Sequence, residues 1–293
     1  ETDGRGMRLL QGSWVISFRG RAMGLDQPRV GIVGGTGRMG SWFAGLLEGF
    51  GLEVLRCGRS TKLRPEQLAS ICDVVVISVP IREMVDVIKN IGPILPKDAL
   101  LMDLTSIKTE PVAAMLKYSR AQVVGLHPLF GPNATKKDTC LKVAICPGRG
   151  ERGLNWAIEI IKAAGLKPLL VSPQVHDQLM SIIQGAQHFA MIAFALTIMH
   201  SGCELEDLRR FATPSFCQTT KRVEAILEQP PELFGPLMMD NPFSLHSIQS
   251  HMQCSEQLKE FVHRKDMQSF RELFLSLREY FKGEEANYER DMG

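Results

Sequence analysis

The sequence predicts an α/β fold, with an N-terminal Rossmann-type doubly wound parallel sheet followed by an all-helical domain. Three observations predict it. A glycine-rich segment, RVGIVGGTGRMG at residues 29–40, joins an apolar strand to a helix. Short β-rich runs then alternate with helical stretches, a pattern typical of a parallel sheet covered on both faces. From residue 173 onward only helical patterns remain.

The length of the chain agrees with two domains. Its 293 residues exceed a typical domain of about 100 to 200 residues. We therefore divide the chain into three parts. Residues 1–28 are a leader or cloning remnant and are left out of the fold, residues 29–172 form a dinucleotide-binding Rossmann domain, and residues 173–293 form a helical domain for substrate binding and dimerisation.

Composition argues against several classes of protein. The net charge of +2 comes without a clustered basic surplus, so we expect no nucleic-acid partner. The seven cysteines are scattered, odd in number and never spaced C-x-x-C, which indicates a cytoplasmic protein rather than a disulfide framework. The histidines lack metal-ligand spacing, and no uninterrupted apolar run reaches the roughly 18 to 20 residues of a membrane span. We expect neither a metal site nor a membrane partner.

The residues after the glycine-rich segment predict the sheet in order. DVVVISV, at residues 73–79, is a nearly unbroken apolar run of β-branched residues, typical of a strand buried on both faces. Met84, Val85 and Ile88 then recur at helical spacing. The predicted strands are residues 29–33, 53–57, 73–79, 100–104, 123–126, 143–145 and 168–171. The predicted helices are residues 41–47, 65–71, 81–91, 111–118 and 154–164.

The second half of the chain predicts a helical domain. The first of its helices, residues 175–200, is apolar nearly all round, so we expect it to be buried between the subunits of a homodimer. The further predicted helices are residues 205–210, 214–229, 243–263 and 267–281.

The glycine-rich segment fits the dinucleotide-binding pattern G-x-G-x-x-G with strand before and helix after. Gly35 allows the tight turn, Gly37 lets the backbone approach a pyrophosphate, and Gly40 lets the helix pack close to the strand. The helix N-terminus then points at the phosphates. The predicted cofactor-binding residues here are Gly35, Thr36, Gly37, Arg38, Met39 and Gly40.

The end of the second strand indicates which dinucleotide binds. An NAD site usually carries an acid there, which accepts hydrogen bonds from the ribose 2′-hydroxyl. This chain has no acid at that position, while Arg59 can pair with a 2′-phosphate and Ser60 and Thr61 can donate hydrogen bonds to it. We therefore predict NADP. NAD remains possible if Arg59 only covers the adenine ring.

Polar residues follow two predicted neighbouring strands, at the edge where open α/β sheets bind their ligands. Ser106 follows one strand and His127 the next. A neutral imidazole accepts a hydroxyl proton near pH 7, and a serine hydroxyl can fix its orientation. A structural loop histidine is the alternative for His127.

Five ordered motifs together resemble prephenate dehydrogenases of the TyrA family. They are GGTGRMG, ISVPI at residues 77–81, DLTSIK at residues 103–108, GLHPLFGP at residues 125–132 and HDQLMSIIQGAQHF at residues 176–189. The sequence is most similar to the dehydrogenase portion of bifunctional chorismate mutase-prephenate dehydrogenases. The resemblance implies oxidative decarboxylation of prephenate to 4-hydroxyphenylpyruvate and CO2, with hydride transfer to NADP or NAD, in tyrosine biosynthesis.

The resemblance also implies roles for individual residues. His127 takes the proton from the ring hydroxyl, and Ser106 holds that hydroxyl and His127 in register. Val79, Pro80 and Ile81 line the cofactor. Gln184 and His188, one helical turn apart, contact the substrate. We expect His176 only to cap or orient the same helix.

One helix departs from the family pattern. Close relatives carry two arginines where this chain has Cys217 and Ala225, and prephenate has two carboxylates to bind. Lys221 and Arg222 lie near both positions on the same helix, and we expect them to bind the substrate instead. Arogenate or amino-prephenate is therefore an alternative substrate. A catalytically silent nucleotide-binding regulatory protein and a different two-domain reductase, such as an imine or 3-hydroxyacid enzyme, are the competing functions.

Overall fold

A computed structural model describes residues 27–134 and 141–292 of the chain. The predicted leader, residues 1–28, lies outside this part except for its last two residues. The described residues form a seven-stranded sheet with helices on both faces, followed by helices only. The predicted fold class, a doubly wound Rossmann-type domain followed by a helical domain, is confirmed.

Parallel strands form most of the sheet. Its order is 2-1-3-4-5-6-7 in chain numbering, and the first five strands are parallel to one another. The chain moves from the first strand to one side and then crosses to the other, which leaves a crevice at the carboxyl ends of strands 1 and 3. The strands are β1 (Val30–Val33), β2 (Val54–Cys57), β3 (Val74–Ile77), β4 (Leu100–Asp103), β5 (Gln122–Pro128), β6 (Lys142–Arg149) and β7 (Lys167–Leu170).

The prediction of an entirely parallel sheet was wrong at β6. This strand runs antiparallel to β5, with His127 opposite Ala144, and β7 runs parallel to β6. Antiparallel neighbours can be joined by a direct loop, whereas parallel neighbours need a crossover, usually a helix. A short apolar run does not encode strand direction, so the sequence pattern gave no sign of the reversal.

Two apolar cores lie on opposite faces of the sheet. Phe43, Leu47 and Trp156 fill one face, and Leu68 and Met84 are among the residues that fill the other. These side chains come from helices at the predicted places. The helices are α1 (Arg38–Gly49), α2 (Pro65–Ile71), α3 (Ile81–Ile91), α4 (Thr109–Tyr118) and α5 (Glu151–Ala163).

The helical domain contains one helix that the sequence pattern missed. It begins at Pro231, since proline is tolerated in a first helical turn, but Gly235 and Pro236 inside it obscure the pattern. The predicted helix at residues 175–200 is interrupted by a π-helical turn, Ser181–Ala186. The helices are α6 (Pro173–Met180), α7 (Gln187–Met199), α8 (Leu205–Arg210), α9 (Pro214–Leu227), α10 (Pro231–Met239), α11 (Ser244–Arg264) and α12 (Met267–Met292).

The stretch Pro173–Met199 leaves many apolar side chains exposed in a single chain. None of the residues of α7 is buried within the single chain, and Ile182 and Met199 are 58% and 67% exposed. By length and composition alone, this stretch is also long and apolar enough to cross a membrane. The prediction places the burial of this helix between two subunits, and a single chain does not test it.

Candidate active site

A cleft of about 480 Å³ opens at the carboxyl ends of β1, β2 and β3. This is the crevice in which open α/β sheets bind their ligands. Among the predicted cofactor-binding residues, the cleft is lined by Thr36, Gly37, Arg59, Val79 and Pro80. A dinucleotide therefore fits the groups that surround this cleft.

The glycines keep the phosphate side of the cleft open. The positive φ of the tight turn falls on Gly34 (+82°), not on Gly35 as predicted, because Gly34 directly follows β1. A Cβ on Gly34 would lie 2.1 Å from the carbonyl oxygen of Ser78. A Cβ on Gly40 would lie 2.3 Å from the carbonyl oxygen of Gly34, so Gly40 allows the predicted close packing of helix on strand.

Seven of the twelve residues predicted to bind the cofactor do not line the cleft: Gly35, Arg38, Met39, Gly40, Ser60, Thr61 and Ile81. Helix α1 starts at Arg38, earlier than predicted, so that Met39 packs against the apolar core. Arg38 donates a 2.7 Å hydrogen bond to Gln229 at the end of α9. Ile81 begins α3 beyond Pro80.

Of the three residues in the loop after β2 that were predicted to bind the 2′-phosphate, one lines the cleft. Arg59 is exposed and lines the cleft, whereas Ser60 and Thr61 do not line it. The Thr61 hydroxyl accepts a 2.9 Å hydrogen bond from the amide of Gly58 and has the carbonyl oxygens of Gly58 and Leu63 as acceptors. Thr61 therefore holds the loop in shape, and its hydroxyl is already engaged.

His127, near the end of β5, belongs to a buried chain of polar side chains. Its Nδ1 lies 2.9 Å from Nε2 of His176, and Nδ1 of His176 lies 2.8 Å from Oδ1 of Asp177. The Asp177 carboxylate also accepts 2.8 Å hydrogen bonds from the amides of Lys108 and Thr109. Since His127, His176 and Asp177 are each at most 3% exposed, these contacts fix the His127 ring.

The direction of the hydrogen bonds follows from the carboxylate at the end. Asp177 can only accept, so we assign the Nδ1 proton of His176 to that bond, and His176 Nε2 accepts from Nδ1 of His127. The Nε2 atom of His127 is then unprotonated. It has no hydrogen-bond partner among the described residues, so it is the nitrogen that can accept a proton from a ligand.

Electrostatics keep His127 neutral and Asp177 ionised. Burial, with smaller effects from His176 and Lys108, holds the pKa of His127 well below its ordinary value of 6.5. Burial raises the pKa of the Asp177 carboxyl, but hydrogen bonds from His176, Thr109 and Lys108 outweigh that effect and lower it below 3.8. At neutral pH the imidazole is therefore a base and the carboxylate an acceptor.

Ser106 lies in the loop after β4, half-buried, and makes no hydrogen bond to His127 or to any other described residue. A second buried pair lies in the same loop. The ammonium of Lys108 contacts the carboxylate of Asp103 and donates a 2.8 Å hydrogen bond to the carbonyl oxygen of Leu126. Because Leu126 directly precedes His127 on β5, this pair ties the loop after β4 to that strand and leaves the Ser106 hydroxyl free.

The π-helical turn and the first turn of α7 each carry a polar side chain with an unsatisfied atom. Oε1 of Gln184 and Nδ1 of His188 are buried and have no hydrogen-bond partner in the described part of the chain. The His188 ring packs edge-on against Phe234 of α10, with 4.7 Å between the ring centroids. Burial lowers the pKa of His188, so its ring is neutral at pH 7. Buried polar groups without partners are rare, and they are typical of sites that bind a polar ligand.

The two basic residues predicted to bind the substrate are exposed. Lys221 and Arg222 lie on α9, and within the described part of the chain neither forms a hydrogen bond or ion pair with His127, Gln184 or His188. Their neighbour Val223 is the buried residue of α9.

Comparisons with known proteins identify the family. Two family models match, the prephenate dehydrogenase nucleotide-binding domain over residues 53–165 and the prephenate dehydrogenase dimerization domain over residues 172–276. A T-protein of Haemophilus influenzae is 30% identical over 264 residues, which cover 90% of this chain and 70% of that protein. The chain belongs to the prephenate dehydrogenase family. It is thus an oxidoreductase with a nicotinamide-cofactor domain, as the five motifs indicate.

Other members of the family differ in length and in their named substrates. A T-protein of Enterobacter agglomerans is 32% identical over 85% of this chain, and the chain spans 66% of its length. A 4-amino-4-deoxyprephenate dehydrogenase of Streptomyces pristinaespiralis is 27% identical, over 88% of this chain and 93% of that protein. The crystal structure of A. aeolicus prephenate dehydrogenase with hydroxyphenyl propionate and NAD+ has a TM-score of 0.71 at 21% identity, covering 87% of this chain and 97% of that one. This last similarity supports the shared fold.

Proposed function

We propose that this chain oxidatively decarboxylates prephenate to 4-hydroxyphenylpyruvate and CO2 with NADP, in the cytoplasm and as a step of tyrosine biosynthesis. The observation that carries the proposal is a buried series of hydrogen bonds. It runs from His127, near the carboxyl end of β5, through His176 to Asp177. When bound, the nicotinamide would accept the hydride from the ring carbon that bears the hydroxyl.

His127 serves as the proton acceptor in this proposal. Its Nε2 takes the hydroxyl proton as the carbonyl forms, and the ring becomes cationic. His176 and Asp177 hold Nδ1 protonated throughout, so they keep the ring in one orientation and stabilise the positive charge. They act as positioning residues, since they touch His127 and not the substrate. Ser106, with its hydroxyl free, holds the hydroxyl of the substrate.

Gln184 and His188 supply the polar contacts to the substrate. Their unsatisfied buried atoms support this role. Lys221 and Arg222 supply charge for the two carboxylates, which requires a movement of α9 or a partner subunit, because both are exposed in the single chain. An amino-substituted prephenate is the second candidate, because a relative that matches 88% of the chain is named for one.

A homodimer completes the proposal. The exposed apolar face of Pro173–Met199 lies in the segment that matches the dimerization domain, and a second copy would cover it. Burial in a partner explains the apolar character of this helix without a membrane.

Purified protein supplied with prephenate and NADP tests the function. We expect reduced nicotinamide, CO2 and 4-hydroxyphenylpyruvate in equal amounts, with slower turnover when NAD replaces NADP. Parallel reactions with arogenate and amino-prephenate compare the substrates. Nucleotide binding without turnover of any of the three would contradict the proposal and favour a silent regulatory protein.

A further inference from the structure

Arg64 lies on the same wall of the nucleotide cleft as Arg59, five residues further along the chain. It immediately precedes α2 and is exposed. Neither guanidinium has an ion-pair partner within residues 27–134 and 141–292. The cleft is thus lined, beside the loop after β2, by two arginines that are free of ion pairs within the described residues.

The loop that carries these arginines is already ordered by its own hydrogen bonds. The Thr61 hydroxyl is bound to the backbone of Gly58, and the Cys57 thiol donates a 3.0 Å hydrogen bond to the carbonyl oxygen of Leu63. These bonds link the start of the loop after β2, before Arg59, to residues that lie between Arg59 and Arg64. Binding an anion there costs little loop entropy, because the loop does not need to fold around it.

The groups around Arg59 and Arg64 also suit the adenosine end of a dinucleotide. A Cβ on Gly58 would lie 2.1 Å from Oγ1 of Thr36, so the loop after β2 directly contacts the glycine-rich phosphate loop. Leu63 and Pro65, which flank Arg64, give the same wall an apolar surface suited to a base. Among the described residues, the one acid that lines the cleft is Glu83, and it belongs to α3 rather than to this loop.

We propose that Arg64 and Arg59 together bind the 2′-phosphate of NADP, and that Arg64 is a specificity-determining residue. Two guanidinium groups can share the dianionic phosphate through charge-assisted hydrogen bonds, which the single neutral 2′-hydroxyl of NAD cannot match. The inference deepens the proposed NADP-linked function and rests on it. Lys62, between them in sequence, does not line the cleft and provides a matched control.

Calorimetric titration of the full chain with 2′,5′-ADP and with 5′-ADP tests this inference without any turnover. Arg64→Ala should weaken 2′,5′-ADP by about 10- to 100-fold, the effect of losing hydrogen bonds to a charged group, and leave 5′-ADP unchanged. Arg64→Lys should restore part of the loss. Lys62→Ala should change neither affinity, although it removes the same charge from the same loop.

Equal losses in Arg64→Ala and Lys62→Ala would overturn the inference, because they would show a general charge effect. So would equal weakening of both nucleotides by Arg64→Ala. A wild-type chain that binds both nucleotides equally would overturn the 2′-phosphate site and leave the dehydrogenase proposal standing. A wild-type chain that binds neither would contradict both.

Discussion

At the scale of single residues, the proposed chemistry depends on keeping His127 neutral in a buried position. An imidazole that is taken from water without a carboxylate in direct contact loses its proton readily, since desolvation disfavours the charged form. Asp177 contacts His176 and not His127. It therefore orients the base through His176, without the direct ion pair that would favour the protonated form of His127. The site thus obtains a fixed base that is free of a proton at neutral pH.

This arrangement predicts how stability depends on pH. In the unfolded chain His127 binds a proton below about pH 6.5, but in the folded chain it does so only at much lower pH. Stability should therefore fall as the pH decreases below about 6.5, by up to about 1.4 kcal/mol per pH unit for this one proton. Urea unfolding between pH 5 and 8, a range of about one pH unit or more on each side of the ordinary histidine pKa, measures the slope.

His127→Asn should flatten that slope, and the exposed His200→Asn should keep the slope of the wild type. His188, whose pKa is also lowered by burial, contributes equally in all three proteins. An unchanged slope in His127→Asn would show that the folded protein protonates this ring as easily as the unfolded one.

Sequence alone predicted His127 as the proton acceptor, but it did not predict the residues that contact it. His127 and His176 are separated by 49 positions, and their contact exists only because α6 packs beside the sheet. No local spacing encodes such a contact. The motif HD at the start of the helix was a usable signal, because a carboxylate next to a histidine can orient its ring, but capping was the simpler interpretation.

At the scale of secondary-structure elements, the π-helical turn sets the positions of Gln184 and His188. Such turns insert an extra residue into a helix, and they occur often at functional sites. Here the turn packs against α11, where Ser181 and Ser247 share a 2.7 Å hydrogen bond. The helix pattern of the sequence continues through the turn, so only the structure reveals it.

Gly185 allows the close approach of this turn to α11. A Cβ there would lie 2.5 Å from Oγ of Ser244, which is buried and donates a hydrogen bond to the carbonyl oxygen of Leu237. Gly185→Ala should therefore destabilise the fold by about 1–3 kcal/mol through overpacking.

Gly45→Ala is the matched control, because Gly45 also lies in a helix but has no atom within 4 Å of its Cβ position. It should stabilise the protein by about 0.5–1 kcal/mol through helix propensity. Urea unfolding of both variants measures the difference. A Gly185→Ala variant as stable as Gly45→Ala would mean that the turn moves aside freely.

Most elements were predictable because burial on both faces of a parallel sheet gives continuous apolar strands, and amphipathic helices separate them. The direction of β6 was not, since its residues pack the same core whichever way the strand runs. Helix α10 was missed because Gly235 and Pro236 are poor helix formers, and its contacts with the π-helical turn and α11 provide the stability that propensity lacks.

At the scale of the whole molecule, the exposed apolar face of Pro173–Met199 is the surface that the proposed homodimer would bury. Ile182→Glu should weaken the homodimer by at least about 100-fold, because a buried unpaired carboxylate costs several kcal/mol. Analytical ultracentrifugation over a concentration series measures the change. Ile71→Glu is the control, since Ile71 is similarly exposed, 48% against 58%, but lies on α2 of the Rossmann domain.

A wild-type chain that sediments as a monomer, or an Ile182→Glu variant that dimerises as tightly as Ile71→Glu, would contradict the proposed interface. The sequence predicted an apolar helix shared between subunits. The burial that it predicted lies between subunits, so the proposed homodimer would provide it and a single chain cannot.

The two domains also contact each other beside the nucleotide cleft. Arg82, in the first turn of α3, forms a bidentate ion pair with Asp240 after α10, with distances of 2.8 and 3.1 Å. Arg38, the first residue of α1, donates a hydrogen bond to Gln229, which follows α9. These bonds join the helical domain to the first turns of α1 and α3.

If His127 accepts the proton in an NADP-linked oxidation of prephenate, as we propose, its loss should slow turnover and leave the cofactor site intact. Turnover of prephenate and affinity for NADP are measured side by side in the wild type and in His127→Asn. We expect kcat to fall by about 10²- to 10⁴-fold with NADP affinity unchanged, since the imidazole acts only in the reaction. An active His127→Asn variant, or one that loses NADP affinity along with its activity, would contradict the account.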